Sequence, residues 1–369
     1  MKYKIRILLP IIVVLFGNIA RAQVHERSRE ISRQFRVYDQ TNLEIYNKYG
    51  NIHLFTWDID SVKIDIHVAV KASKEQKVDR IFEYIDFEIT DSKYYVIART
   101  QFKQNQGSFW AELTDLANTV FSGNTKTQID YEIYLPKDVS VKLENKFGNI
   151  YCTNHSGKIT VDLSNGDFRA NNLTGEANLS LDFGNSIINR IDQGTVNTGY
   201  GEIEIREAGN LTLESKSSEI EIGKAVSLQI NSRRDTWNIE VAEVITGESY
   251  FSYLHIDALD QVLDLKSDYG EISLKDISAK YGHIKLMSRY TDVYVQLTQA
   301  FSGNVNIKYN STDLHLPDNF KALSQSKTDE EQNPDMLSGF IGLQTGEIAK
   351  AVFTLQYGKF TVEYENQEF

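Results

Sequence analysis

The chain is poor in the residues that cross-link or kink a backbone. One Cys among 369 residues excludes an internal disulfide. The four Pro (Pro10, Pro136, Pro317 and Pro334) leave 137–316 free of them, so a long backbone ladder can run there uninterrupted. Basic residues are also in deficit: 39 Lys and Arg against 51 Asp and Glu give a formal charge of −12. That balance argues against a nucleic-acid surface, which phosphates require to be basic. Long apolar runs are missing beyond residue 16, and the mean hydropathy of −0.37 excludes a multi-span membrane protein. Aromatic residues are not scarce; at 11% they exclude a disordered chain.

The single apolar run has the layout of a secretory signal. Lys2, Lys4 and Arg6 precede the stretch Ile7 to Phe16, and Ala20-Arg21-Ala22 places small residues at a cleavage site. At ~10 residues the run is half the length of a membrane span. Residues 1–22 are therefore expected to be a cleaved signal peptide, leaving no transmembrane span. Its loss removes four positive charges and moves the formal charge from −12 to −16.

Beyond the signal one phrase recurs: an aromatic or small residue, Gly, a polar residue, then apolar-x-apolar. It occurs at Tyr49-Gly50-Asn51-Ile52, Phe147-Gly148-Asn149-Ile150, Tyr200-Gly201-Glu202-Ile203 and Tyr269-Gly270-Glu271-Ile272. Gly148, Gly166, Gly184 and Gly201 are 18, 18 and 17 residues apart. A second set, Gly157, Gly175, Gly194 and Gly209, falls between them, and later copies such as Thr291 and Thr312 are 21 apart. Each copy opens a short alternating segment such as Glu202-Ile203-Glu204-Ile205, the period of a half-buried strand. Glycine at that point suits a corner needing positive φ or a close backbone neighbour.

Two short strands per 17–21 residues predict a mainly β protein built as a β-solenoid, in which stacking buries a stripe no single coil can bury. An antiparallel meander or barrel is the alternative, because Ser164-Asn165-Gly166-Asp167 can make a hairpin turn. The expected organisation is an N-terminal strand and helix region with its cap over 23–145, the solenoid over 146–320, and a polar loop with closing strands over 321–369. Val78, Ile81, Phe82 and Ile85 predict a helix over 73–85 capped by Ser73. A second helical pattern covers 108–121, and both helices would cover a solenoid end.

The run Tyr131-Glu132-Ile133-Tyr134-Leu135-Pro136, continuing into Leu143-Glu144-Asn145-Lys146-Phe147-Gly148-Asn149-Ile150, resembles the bacterial putative-adhesin family of exported β-solenoid domains. The resemblance extends over about 31–316. It implies a cell-envelope or surface protein with no established catalytic residues.

Sites of chemistry are few. The seven His have no HExxH or HxxxH spacing and read as solvated strand residues, so no metal or cofactor is expected. Cys152 shares a face with Ile150 and reads as a buried, inert thiol. The residues following the corners, Asp167, Glu202, Glu219, Glu271, Asp292 and Asp313, are expected to form a polar row about one strand spacing (~4.8 Å) apart, able to meet a cation or a basic partner. The aromatics preceding the corner glycines, among them Phe147, Phe183, Tyr200, Tyr269, Tyr281 and Tyr357, are expected to stack, with Tyr200, Tyr269 and Tyr281 as candidate binding residues. The function expected is a non-enzymatic, adhesin-like module located in the periplasm, at the outer membrane or outside the cell, holding an envelope polymer, glycan or surface protein. The alternative is a polysaccharide lyase or hydrolase. Glycosidic cleavage needs paired carboxyls, for which Asp264, Asp268 and Glu271, all at expected surface positions, are the candidates.

Overall fold

The computed structural model describes residues 24–103, 125–277, 282–298, 301–326, 334–342 and 349–364. The expected signal peptide, the second helical pattern at 108–121 and Tyr281 lie outside them. The β-solenoid expectation holds. From β8 (Ser140–Lys146) and β9 (Ile150–Cys152) onward, successive coils pair in parallel. β10 (Ile159–Ser164) and β11 (Phe168–Asp182) continue the stack. It proceeds through β12 (Asn185–Gly199), β13 (Glu202–Lys216), β14 (Glu219–Arg233), β15 (Thr236–Tyr250), β16 (Tyr253–Ile277) and β17 (His283–Leu297). A meander would pair these neighbours antiparallel; the alternative is excluded for this region.

In register, like falls on like. Ile203, Ile220, Trp237 and Leu254 occupy one inward column and Ile205, Ile222, Ile239 and Ile256 another, all buried. Apolar area removed from water contributes about 25 cal/mol per Å², and each column is covered above and below by the same column of the neighbouring coils.

Among the described residues, antiparallel pairing is confined to the two ends. At the first end, β1 (His25–Arg36), β4 (Ser61–Ala72) and β7 (Thr125–Leu135) pair antiparallel, as do β5 (Ile85–Asp91) and β6 (Tyr95–Phe102). β2 (Asn42–Lys48) and β3 (Ile52–Thr56) form the coil joining this end to β8 and β9. Helix α1 (Glu75–Tyr84) lies over this end and buries Val78, Ile81 and Phe82. It begins later than the sequence suggests: Lys74 is the N-cap, with no side-chain bond, and Ser73 does not serve. The edge strand β1 carries Arg27, Arg29, Arg33 and Arg36 and is largely exposed, a charged edge that discourages pairing with other chains.

The far end departs from sequence order. β18 (Gly303–His315) does not pair with β17; β21 (Ala349–Tyr364) is inserted in parallel between them. β20 (Asp335–Ile341) then adds antiparallel to β18, and β19 (Lys321–Ser326) adds to β20. Residues 321–326, read from sequence as polar loop, are thus an edge strand. Their polarity reflects exposure on both faces.

Candidate functional site

One corner of the solenoid gathers the residues singled out from the sequence. Its apex residues, Tyr49, Phe147, Asn165, Phe183, Tyr200, Ser217, Arg234, Phe251, Tyr269, Tyr290, Tyr357 and Ser311, all have φ between 49° and 68°. The left-handed conformation therefore falls on the residue before the glycine, with a steric cost of roughly 1–2 kcal/mol for a bulky side chain. Each turn is held by a repeated bond. The apex N–H donates to the carbonyl just before the next coil's apex, as from Tyr200 to Lys216 (3.0 Å) and from Ser217 to Arg233 (2.9 Å). The following glycine answers a different need. A Cβ on Gly184 would fall on the carbonyl oxygen of Gly166, and one on Gly201 on that of Gly184, so close approach is what selects glycine here.

The apex rings stack as expected. Phe183 and Tyr200 lie 5.1 Å apart and 4° from parallel; Phe251, Tyr269, Tyr290 and Tyr357 follow at 4.9, 5.0 and 4.5 Å. Tyr49 and Phe147 form a further pair at 5.6 Å. Offset and parallel rings at this spacing contribute about 0.5–1.5 kcal/mol per pair beyond area burial, which offsets the strain of their backbones. The rings remain exposed, Tyr200 by 51% and Phe251 by 49%. Sequence reasoning missed Phe251, because Ser252 stands where the phrase has Gly, and passed over Tyr290 although Thr291 was placed in the repeat. Those hydroxyls bond back to the carbonyls of Tyr250 (3.0 Å) and Arg289 (3.1 Å) and so fit the same corner.

The polar row divides in two. Asp167 Oδ1 accepts the N–H of Asn185 (3.1 Å), and Asn149 Oδ1 that of Asp167 (2.8 Å). Asp292 Oδ1 likewise accepts the N–H of Lys359 (2.8 Å). Short Asn and Asp side chains thus pin one coil to the next, which makes Asp167 and Asp292 structural. Glu202 and Glu219 are in register with each other and exposed, and their N–H groups bond instead to the carbonyls of Gly184 and Gly201. Glu271 and Asp313 are also exposed. Because β21 is inserted, Lys359 stands beside both Asp292 and Asp313, which the 21-residue step had made neighbours. Among the described residues no group of three His, Cys, Asp or Glu is placed to hold a metal ion.

Beneath the apex lies a buried column that sequence reasoning missed: Thr198, Ser215, Ser232, Ser249, Ser267 and Ser288, in register and two residues before each apex. Their spacing of 17, 17, 17, 18 and 21 was a signal as regular as that of the glycines. Two of its members, Ser215 and Ser232, hold Asp235, which is 2% exposed. Its Oδ1 accepts the N–H of Ser218 (2.8 Å), and its Oδ2 accepts Ser215 Oγ, Ser232 Oγ and the N–H of Arg233 (each 2.7 Å). A carboxylate with four donors is fully satisfied, as burial of a charge requires.

Other expectations need correction. Asp268 is not at the surface; it is 5% exposed and paired with Arg289 at 2.9 Å. Asp264 pairs with Lys285 at 3.1 Å, so two of the three candidate acids for glycosidic cleavage are tied to cations. His155 is not solvated. It is 2% exposed, neither ring nitrogen makes a well-formed hydrogen bond, and burial pushes its pKa below the usual imidazole value. Cys152 is buried, and desolvation pushes its thiol up to about 12.

A parallel β-solenoid with a stacked aromatic corner is the class these features define. The sequence pattern of the Toastrack DUF4097 family matches residues 40–336, and the chain belongs to that family. Among solved structures, a putative adhesin from Parabacteroides distasonis is similar at 10% identity, covering 73% of this chain and 93% of its own, with a TM-score of 0.32. A putative cell adhesion protein from Clostridium sporogenes is 9% identical over 92% of this chain and 100% of its own (TM-score 0.21). A putative lipid binding protein from Parabacteroides distasonis is 10% identical over 91% and 96% (TM-score 0.30). At TM-scores below 0.5 none of these likenesses bears on function. No curated protein matches the chain.

Proposed function

We propose that the chain is an exported, adhesin-like module of the cell envelope or cell surface that binds or supports an envelope polymer, glycan or surface protein without covalent chemistry. The observation that carries this reading is the exposed aromatic corner. Stacking stabilises the apexes, and it also holds a row of rings in line with one edge of each left in water, open to a partner. Aromatic residues are the side chains most enriched at recognition surfaces, because they offer large contact area at low entropic cost.

The test is a binding and turnover screen of the protein lacking residues 1–22 against envelope and plant polysaccharides. Retention without release of shorter products is expected. Chain shortening that disappears in Asp264→Asn or Glu271→Gln would replace this reading by the polysaccharide-cleaving alternative. Protease shaving of intact cells, with a periplasmic protein as control, tests the compartment.

A further inference from the structure

The aromatic stack is interrupted at Ser217 and Arg234, and the interruption has a particular chemistry. Tyr200 on one side and Phe251 on the other each have one face covered by a ring, Phe183 and Tyr269 respectively. Their other faces look toward each other across two coils that lack a ring. At ~4.8 Å per coil the two rings stand about 14 Å apart. Arg234 is held over Phe251, with Cζ 5.9 Å from the ring centroid, and Lys216 Nζ likewise lies over the Tyr200 ring, 5.6 Å from its centroid. The interval between Tyr200 and the Arg234 guanidinium, above Ser217, is therefore about two coil spacings wide, the thickness of one inserted ring once the exposed Lys216 side chain swings off the Tyr200 face.

The charge in this notch runs against that of the chain. Lys216, Arg233 and Arg234 are exposed, Lys216 and Arg233 are in register, and none is within ion-pair distance of a carboxylate among the described residues. Nearby basic groups are engaged: Arg190 with Asp192, Arg206 with Glu204, Lys285 with Asp264 and Arg289 with Asp268. The buried Asp235 does not hold these cations either, because its four acceptor positions are filled by Ser215, Ser218, Ser232 and the N–H of Arg233. What Asp235 does is fix the backbone that carries Arg233 and Arg234, so the notch is preorganised.

We propose that this notch binds an acidic polysaccharide, with one uronate ring inserted above Ser217 against the face of Tyr200 that Lys216 covers in its absence, and its carboxylate held by the displaced Lys216, Arg233 and Arg234. The proposal rests on the binding-module reading and names its ligand class. An opening one ring wide matches a sugar ring, whose C–H face packs on an aromatic face while its carboxylate reaches guanidinium groups. A flat anionic membrane is disfavoured, since only three cations are available and Glu202, Glu214 and Glu219 are exposed around them.

The test is titration calorimetry of the full chain without residues 1–22 against polygalacturonate, neutral dextran and phosphatidylglycerol vesicles, at low and high salt. Polygalacturonate alone is expected to bind, and raising salt from about 50 to 500 mM is expected to weaken it. The variant Arg233→Gln/Arg234→Gln should lose about tenfold in affinity, the effect expected of removing charge-assisted bonds. Ser217→Tyr should also abolish binding while leaving every charge in place, because it continues the stack through the notch. Ser217 already has the backbone of the apex tyrosines, so this variant is expected to fold and melt no lower than the parent. Binding unchanged in both variants, or a preference for dextran or vesicles, would overturn the notch assignment and leave the binding-module reading standing. Failure to retain any polymer in the wider screen would remove both.

Discussion

Asp235→Asn is the substitution whose effect the corner geometry sets most narrowly. The change removes one charge and turns one acceptor atom into a donor, with almost no change in volume. If the amide keeps its oxygen toward Ser218, its NH2 meets Ser215 Oγ, Ser232 Oγ and the N–H of Arg233. The two hydroxyls can rotate to accept, but the Arg233 N–H cannot. In the flipped orientation the N–H of Ser218 is the one left facing a donor. One buried N–H is stranded either way, at about 1–3 kcal/mol, and the remaining bonds lose their charge assistance, so the total is about 2–4 kcal/mol. Equilibrium urea unfolding measures it. Trp237 is a built-in local probe, since it is fully buried and its Nε1 donates to Ser232 Oγ at 2.9 Å. The fluorescence midpoint should fall well below that of the parent. A change within about 0.5 kcal/mol, the range of ordinary surface substitutions, would refute the assignment of Asp235 as the organiser of this corner.

Gly184→Ala should destabilise by about 2–4 kcal/mol, since a Cβ there falls on the Gly166 carbonyl and two or three inter-coil bonds must lengthen to admit it; a thermal melt matching the parent would count against the close-approach argument. Cys152, with its thiol pushed up to about 12, should resist an aromatic disulfide reagent at pH 8 and react fully in denaturant. His155 has a folded-state pKa below its ordinary 6.5, so it contributes fully above about pH 6.5 and that contribution is lost as pH falls below it. His155→Phe should flatten stability over pH 5–6.5, and an unchanged slope would show that another group sets it. Deleting 349–364 should expose facing edges of β17 and β18 and yield a protein that self-associates in gel filtration, where loss of a terminal coil would only shorten the stack.

The repeat was readable because inter-coil contact makes the same demand at every turn. Gly148, Gly166, Gly184 and Gly201 must each admit a neighbouring carbonyl, and that need leaves its period in the sequence. The serine column left a period too, but small polar residues are expected at strand ends, so Ser215 and Ser232 resembled turn residues rather than interior ones. Asp268 was misread for a related reason. A carboxylate next to a corner looks solvated until its partner Arg289, on the next coil, is placed beside it. The position of β21 left no mark on spacing, because Thr291 and Thr312 keep a regular step whether or not a strand separates them in space. Apex conformation was inferred at glycine, the residue for which positive φ costs least. Ring stacking instead stabilises Tyr200 and Phe251 in it, and stacking is a tertiary term that local propensity does not contain.

The inserted strand also governs how the molecule bears load. A solenoid pulled along its axis from a terminal coil peels one rung at a time from that end. Tension entering through the chain beyond residue 364 instead acts on a rung flanked by β17 on one side and β18 on the other, so two parallel ladders are loaded together. Yielding there releases the leaf of β18, β20 and β19 as a unit, while the coils up to β17, and the aromatic corner they carry, stay assembled. Yielding at this rung would leave intact the coils that carry Tyr200, Ser217 and Arg234, where we propose that ligand binds.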